Sequence, residues 1–172
     1  KLRKLLKVKN KKGENMIVMK FGGTSVGSAN RIKTVSDIIK SRLNRKPIVV
    51  VSAVTGITDL LIKAGQEALK RNIILDQIVD VHLKILEELG LNEQVLEKNL
   101  EDLGKHLKKI AEKGDINRQE LDELMSFGER MSCKIVAAHL NNAGIKARGE
   151  TSYDLGFITN SNYGEAEIID RT

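Results

Sequence analysis

Residues 17–28 read Ile-Val-Met-Lys-Phe-Gly-Gly-Thr-Ser-Val-Gly-Ser, and the fold turns on them. Ile17 to Phe21 is an apolar run broken only by Lys20, and Gly22-Gly23 follow at once, which is the pattern of a strand entering a tight loop. From Ser28 to Leu43 the apolar residues Ile32, Val35, Ile38, Ile39 and Leu43 fall at the spacing of an amphipathic helix. Pro47, the one proline, then opens the β-branched run Ile48 to Val51, which predicts a buried strand of a parallel sheet. A second helical pattern begins near Thr58. Strand, helix, strand and helix in this order predict a right-handed βαβ unit.

From about Thr58 to Ala143 the pattern is helical almost throughout. Leu83, Leu86, Leu89, Leu96, Leu100, Leu103, Leu107 and Ile110 recur at helical spacings, and Gly90 and Gly114 mark helix ends. A helical hairpin is expected. Asn117 with Glu120 three residues on predicts a helix start. After Gly144 the pattern turns short and β-like, at 145–147, 157–159 and 167–169. No helix follows before Thr172, so an open sheet is expected to be left incomplete there.

Apolar residues are 41% and charged residues 30% of the chain, a globular rather than a disordered balance. No apolar run approaches the roughly 20 residues of a membrane span, and no secretory signal is visible. The single cysteine, Cys133, excludes a disulfide framework and a cysteine-based metal site within one chain, which suits a reducing cytoplasm. It reads as a small core residue. The net charge of +6 comes from residues 1–15, since the remainder carries as many acids as bases. This basic arm is expected to be disordered, with the domain proper spanning 16–172 and Met16 as a candidate first residue. It lacks the aromatic side chains of a nucleic-acid platform, so no nucleic acid is expected as a partner.

Three stretches carry chemistry. The first is Lys20 to Ser28, with three glycines, three hydroxyls and a lysine between a strand and a helix. Glycines let backbone N–H groups point into open space, a helix N-terminus adds donors, and the ammonium of Lys20 adds full charge, so the group suits phosphate oxygens. It is neither a Walker A loop, whose lysine follows the last glycine, nor the dinucleotide fingerprint, which needs glycine where Thr24 stands. By the glycines alone, an ordinary strand-to-helix turn fits as well. The second is Val49 to Asp59, where Ser52, Thr55 and Thr58 follow a strand at its carboxyl end, the edge where open parallel sheets bind ligands. Capping of the next helix is an equally simple role for Thr58. The third is Ser126-Phe127-Gly128-Glu129-Arg130, inside the helical pattern of Leu121, Leu124, Met125 and Ile135. Glu129 falls at the edge of that apolar stripe. Gly128 falls within it, at a cost of about 1 kcal/mol relative to alanine. Such a pair suits close approach of an ammonium group, while Arg130 points away as a surface charge. His82, His106 and His139 lie in helical runs apart from acid clusters, so no metal site is expected.

In this order the three stretches resemble aspartate kinases of the amino-acid kinase family. Lys-Phe-Gly-Gly-Thr-Ser-Val-Gly at 20–27 is similar to that family's opening signature. Val-Ser-Ala at 51–53 with Thr58, Ser-Phe-Gly-Glu-Arg at 126–130, and Gly156 to Asn160 with Tyr163-Gly164 are similar to its following landmarks. The resemblance implies an α/β fold, a three-layer αβα sandwich with a mainly parallel open sheet of the carbamate kinase kind, carrying a helical insertion at about 58–143. It implies transfer of the ATP γ-phosphate to the β-carboxylate of L-aspartate, with Mg²⁺ assisting, at the head of lysine, threonine and methionine synthesis. A homo-oligomer is implied for the full-length enzyme. Lys20 would contact the transferred phosphoryl group as the catalytic residue, with Gly22 and Gly23 donating to the same phosphates and Thr24 and Ser25 beside them. Ser52 and Thr58 would line the aspartate pocket, and Glu129 would hold the α-ammonium. The nucleophile would be a carboxylate already ionised at neutral pH, so no general base is needed.

Similar kinases continue into a later Gly-Arg-Gly-Gly-Ser-Asp segment and a nucleotide-holding lobe. Residues 1–172 are therefore expected not to turn over alone. A sister kinase for another carboxylate substrate and a non-catalytic binding lobe are the alternatives.

Overall fold

The computed structural model describes residues 5–9 and 15–169. Its sheet is built around β2 (Asn15–Phe21). Ile17, Met19 and Phe21 are buried and Lys20 is exposed, the alternation a strand needs when one face meets a core. β3 (Ile48–Val51) pairs parallel to it, Val18 opposite Ile48 and Phe21 opposite Val51. β1 (Leu5–Lys9) pairs antiparallel on the other side, Leu5 opposite Met19 and Lys9 opposite Asn15. The strand order is β1-β2-β3. The arm expected to be disordered over residues 1–15 thus differs at Leu5–Lys9, where the free edge of β2 supplies a ladder. The rest of that expectation, 1–4 and 10–14, lies outside the described residues.

Two further expectations are corrected. β3 is not a buried strand. It lies at the end of the strand order, and Ile48 and Val50 remain 45% and 43% exposed. The stretches 145–147, 157–159 and 167–169 do not form strands. A single antiparallel bridge joins Thr159 to Ile168, because among the described residues no neighbouring strand offers these segments a longer ladder.

The helices follow their patterns closely. α1 (Gly23–Val26) is a single turn, and α2 (Ala29–Lys40) starts behind Ser28, whose hydroxyl accepts from Arg31 N at 3.4 Å. α3 (Ile57–Ala68), α4 (Asp76–Glu88), α5 (Glu97–Lys113) and α6 (Arg118–Asn142) make up the helical region. α5 ends at Gly114, and α6 opens on the reciprocal cap expected of Asn117 and Glu120. Asn117 Oδ1 accepts from Glu120 N at 2.9 Å, and Glu120 Oε2 accepts from Asn117 N at 3.0 Å. That bond and the Lys113 ammonium at 2.9 Å hold the Glu120 carboxyl below its usual range. Leu103, Leu107 and Ile110 of α5 and Leu124, Phe127, Met131 and Ile135 of α6 are essentially inaccessible and form the centre of the core. Each such side chain contributes about 1.5–3 kcal/mol on burial.

His82 lies in that core with no exposure. Its Nδ1 donates to Ile78 O at 2.7 Å, and Nε2 has no hydrogen-bond partner. Burial pushes its pKa down, against a smaller opposing effect of the Ile78 bond. Burial also lowers His139. A lowered folded-state pKa means that the unfolded chain binds the proton more readily. The contribution is complete above the unfolded value of about 6.5 and is lost as pH falls from there through the depressed folded value. Thermal unfolding midpoints are therefore expected to drop between pH 7.5 and 5.5, and His82→Leu to flatten that drop. An unchanged slope in His82→Leu would exclude His82 as its source.

Candidate functional site

The parallel register of β2 and β3 brings both carboxyl ends to one edge. Ser52 N donates to Phe21 O at 3.1 Å, carrying the ladder one residue past β3. The loop after β2 and the loop after β3 then lie in contact. A methyl group at Gly23 would fall 2.8 Å from Ala53 O, and one at Gly27 3.0 Å from Thr55 Oγ1. The glycines at these two positions therefore permit the approach of one loop to the other, beyond making a turn. Lys20 is exposed, opposite Val50 and one residue before the end of β2.

The third stretch arrives from α6. Gly128 is buried, and a methyl group there would lie 2.7 Å from Ala53 Cβ. This contact sets α6 against the loop after β3. One residue on, Glu129 Oε1 accepts from Ala53 N at 3.3 Å. Glu129, at the edge of the apolar stripe of α6, is exposed, so its carboxylate meets solvent while bonded to the loop. Thr58 is the second residue of α3, half-buried. The cap position belongs to Gly56 at φ +82°, with no side-chain cap bond, so capping is not the role of Thr58.

Glu129 lines a cleft of about 590 Å³. One wall is β3 (Ile48–Val51), another is Ser126, Glu129, Arg130 and Cys133 of α6, and the third is the loop 150–157. Arg130 is corrected here. It is half-buried, its Cζ lies 4.5 Å from the centroid of the buried Phe127 ring, and it faces the cleft. A guanidinium over an aromatic face gains roughly 0.5–2 kcal/mol, which outweighs the small cost of bending it inward. The loop is held to α6 by Lys134 Nζ donating to Gly149 O at 2.7 Å and by the Cys133 thiol against Glu150 O at 3.5 Å. Burial pushes the Cys133 thiol up, away from thiolate chemistry.

Of the residues singled out from the sequence, Gly23, Ala53 and Glu129 are joined by direct contacts, and Ser52 is tied to the end of β2. Lys20, Gly22, Thr24 and Ser25 share the edge where the two loops meet. Gly22 precedes α1 with open space around it, and Ser25 N donates to Gly22 O at 2.8 Å. The one-turn α1 separates this loop from α2, so the long helix does not start at the glycines. What the sequence does not show is the use of the Ala53 amide as an anchor for Glu129 and the packing of Thr55 against Gly23 and Gly27, since only tertiary packing gives them these roles.

The profile of the amino acid kinase family matches residues 15–171. The chain belongs to that family. It is 39% identical over 162 residues to the chloroplastic aspartokinase 2 of Arabidopsis thaliana, covering 90% of this chain and 30% of the relative. It is 33% identical over 158 residues to the lysine-sensitive aspartokinase 3 of Escherichia coli, covering 88% and 34%. Among solved structures it superposes on E. coli aspartokinase III in complex with aspartate and ADP at a TM-score of 0.75 and 30% identity, covering 88% of this chain and 34% of that one. The chain thus spans about a third of the length of the relatives it matches.

Proposed function

We propose that this chain contributes the amino-acid side and one phosphate loop of an aspartate kinase, which transfers the γ-phosphoryl group of ATP, as its magnesium complex, to the β-carboxylate of L-aspartate. The observation that carries this reading is Glu129. It is a solvent-facing carboxylate in a cleft walled by β3, with one oxygen already anchored to Ala53 N in the loop after that strand. Such a group suits an α-ammonium. Relatives named aspartokinases, and a solved aspartokinase with aspartate and ADP bound, support the choice of substrate.

On this reading Ser52, from the loop after β3, and Thr58, from the first turn of α3, face the amino acid. Lys20, Gly22 and Gly23, with Thr24 and Ser25, neutralise and orient the phosphoryl group. The acceptor carboxylate is ionised at neutral pH, so the residues here position and stabilise charge rather than remove a proton. The single cysteine, a half-buried free thiol, is in keeping with a reducing compartment such as the cytoplasm.

Glu129→Gln tests the reading. The amide oxygen still accepts from Ala53 N, so the fold is expected to hold, while the negative charge is gone. Loss of a charge-assisted bond of about 2 kcal/mol weakens L-aspartate binding roughly 30-fold. Calorimetric titration with L-aspartate measures it, and equal affinity for both proteins would remove Glu129 from the site.

A further inference from the structure

The segment 158–169 is a small hairpin. Ile169 N donates to Ile158 O at 2.9 Å, Asn160 N donates to Glu167 O at 3.0 Å, and Thr159 bridges Ile168. Its apolar side chains Ile158, Ile168 and Ile169 are exposed, so packing does little to hold it in place. Among the described residues, one hydrogen bond ties it to the helices. Gly164 N at the tip donates to Asp122 Oδ2 of α6 at 2.7 Å. Gly164 has φ +90°, a conformation that disfavours any side chain and that presents this amide to the helix.

The position of Asp122 matters. Asp122, Ser126, Glu129 and Cys133 stand at i, i+4, i+7 and i+11, within roughly 60° of arc at 100° per residue. The last three line the cleft. The hairpin begins where the cleft-lining loop ends, at Phe157, and its tip returns to the same stripe of α6 one turn before Ser126. It therefore spans from the loop wall to the helix wall at the Ser126 end of the cleft.

We propose that Asp122 is a positioning residue for this cleft: its carboxylate clasps the Gly164 amide, seats the 158–169 hairpin against α6, and so holds the 150–157 wall in register with Glu129. The ligand part of this proposal rests on the aspartate reading above; the clasp itself does not.

Two measurements on the chain test it. In the first, amide hydrogen exchange is compared for the unaltered chain, Asp122→Ala and Asp122→Asn. Exchange across 158–169 is expected to rise roughly tenfold in Asp122→Ala, the loss of one charge-assisted bond, with the amides of α6 unchanged. Asp122→Asn, which keeps an acceptor oxygen, should recover most of the protection. In the second, L-aspartate is titrated into all three proteins by NMR, and its dissociation constant is expected to rise roughly three- to tenfold in Asp122→Ala and to return toward the starting value in Asp122→Asn. Unchanged hairpin exchange in Asp122→Ala overturns the clasp. A loosened hairpin with undiminished affinity overturns the positioning role. Absence of L-aspartate binding by the unaltered chain counts against the aspartate reading alone, and the exchange measurement then decides the clasp.

Discussion

Lys20→Ala, in a form of the enzyme that turns over, is expected to lower kcat by a hundredfold to a thousandfold, about 3–4 kcal/mol of transition-state stabilisation. The argument begins with placement. Lys20 points out of a strand whose alternate residues are buried, one residue before the strand ends, and beside a loop in which Gly22 has open space around it. A phosphoryl group in transfer spreads negative charge over its oxygens, and a fixed ammonium there acts without reorganisation. The fold should tolerate the change, because the side chain is exposed. Lys20→Arg keeps the charge and should recover part of the rate. A coupled assay of ATP-dependent aspartyl phosphate formation reads the effect, and undiminished turnover in Lys20→Ala would dismiss the phosphate loop.

The second large effect is expected at Gly128. Alanine in place of glycine within a helix ordinarily gains about 1 kcal/mol. Here the new methyl group would sit 2.7 Å from Ala53 Cβ and 3.4 Å from Ile57 Cγ2, both on buried residues. Overpacking of this kind costs typically 1–3 kcal/mol, so strain cancels or exceeds the propensity gain. The larger consequence is local. Relief requires α6 and the loop after β3 to separate, and that loop carries the amide bonded to Glu129. Gly128→Ala is therefore expected to leave the denaturation midpoint unchanged or lower while L-aspartate affinity falls about tenfold, and Gly128→Val to destabilise the chain by about 3 kcal/mol. Denaturant titration and calorimetry measure both. A Gly128→Ala protein that is more stable and binds as before would show that the contact is slack.

What could be read from the sequence was whatever a segment specifies through its own period or its own end. The apolar run from Ile17 to Phe21 ahead of Gly22-Gly23 marks β2, the stripe of Ile32, Val35 and Ile39 marks α2, and Asn117 with Glu120 marks the start of α6. What escaped depended on neighbours. Ile48 to Val51 has the composition of a covered strand, yet β-branched residues record only a fit to a pleated surface, and exposure depends on what lies alongside. The β-like runs after Gly144 have strand composition but no partner of useful length among the described residues. Helical angle places Arg130 outward, but a long, flexible side chain can reverse that direction when a ring such as Phe127 lies within reach. In the candidate site, the residue types of the two loops and Glu129 were legible. The Ala53 amide was not, since any residue supplies a backbone N–H and only the crossing of α6 gives this one a purpose.

That crossing has a thermodynamic consequence. With Oε1 of Glu129 bonded to a main-chain donor, the carboxylate has surrendered part of its rotational freedom, and Oε2 takes no part in that bond. An arriving cation then meets an acceptor whose ordering was completed when the chain folded. Since the donor belongs to the loop that follows β3, a cation held by Glu129 as proposed would also restrain that loop, and recognition at the helix would be felt where the phosphate is expected to rest.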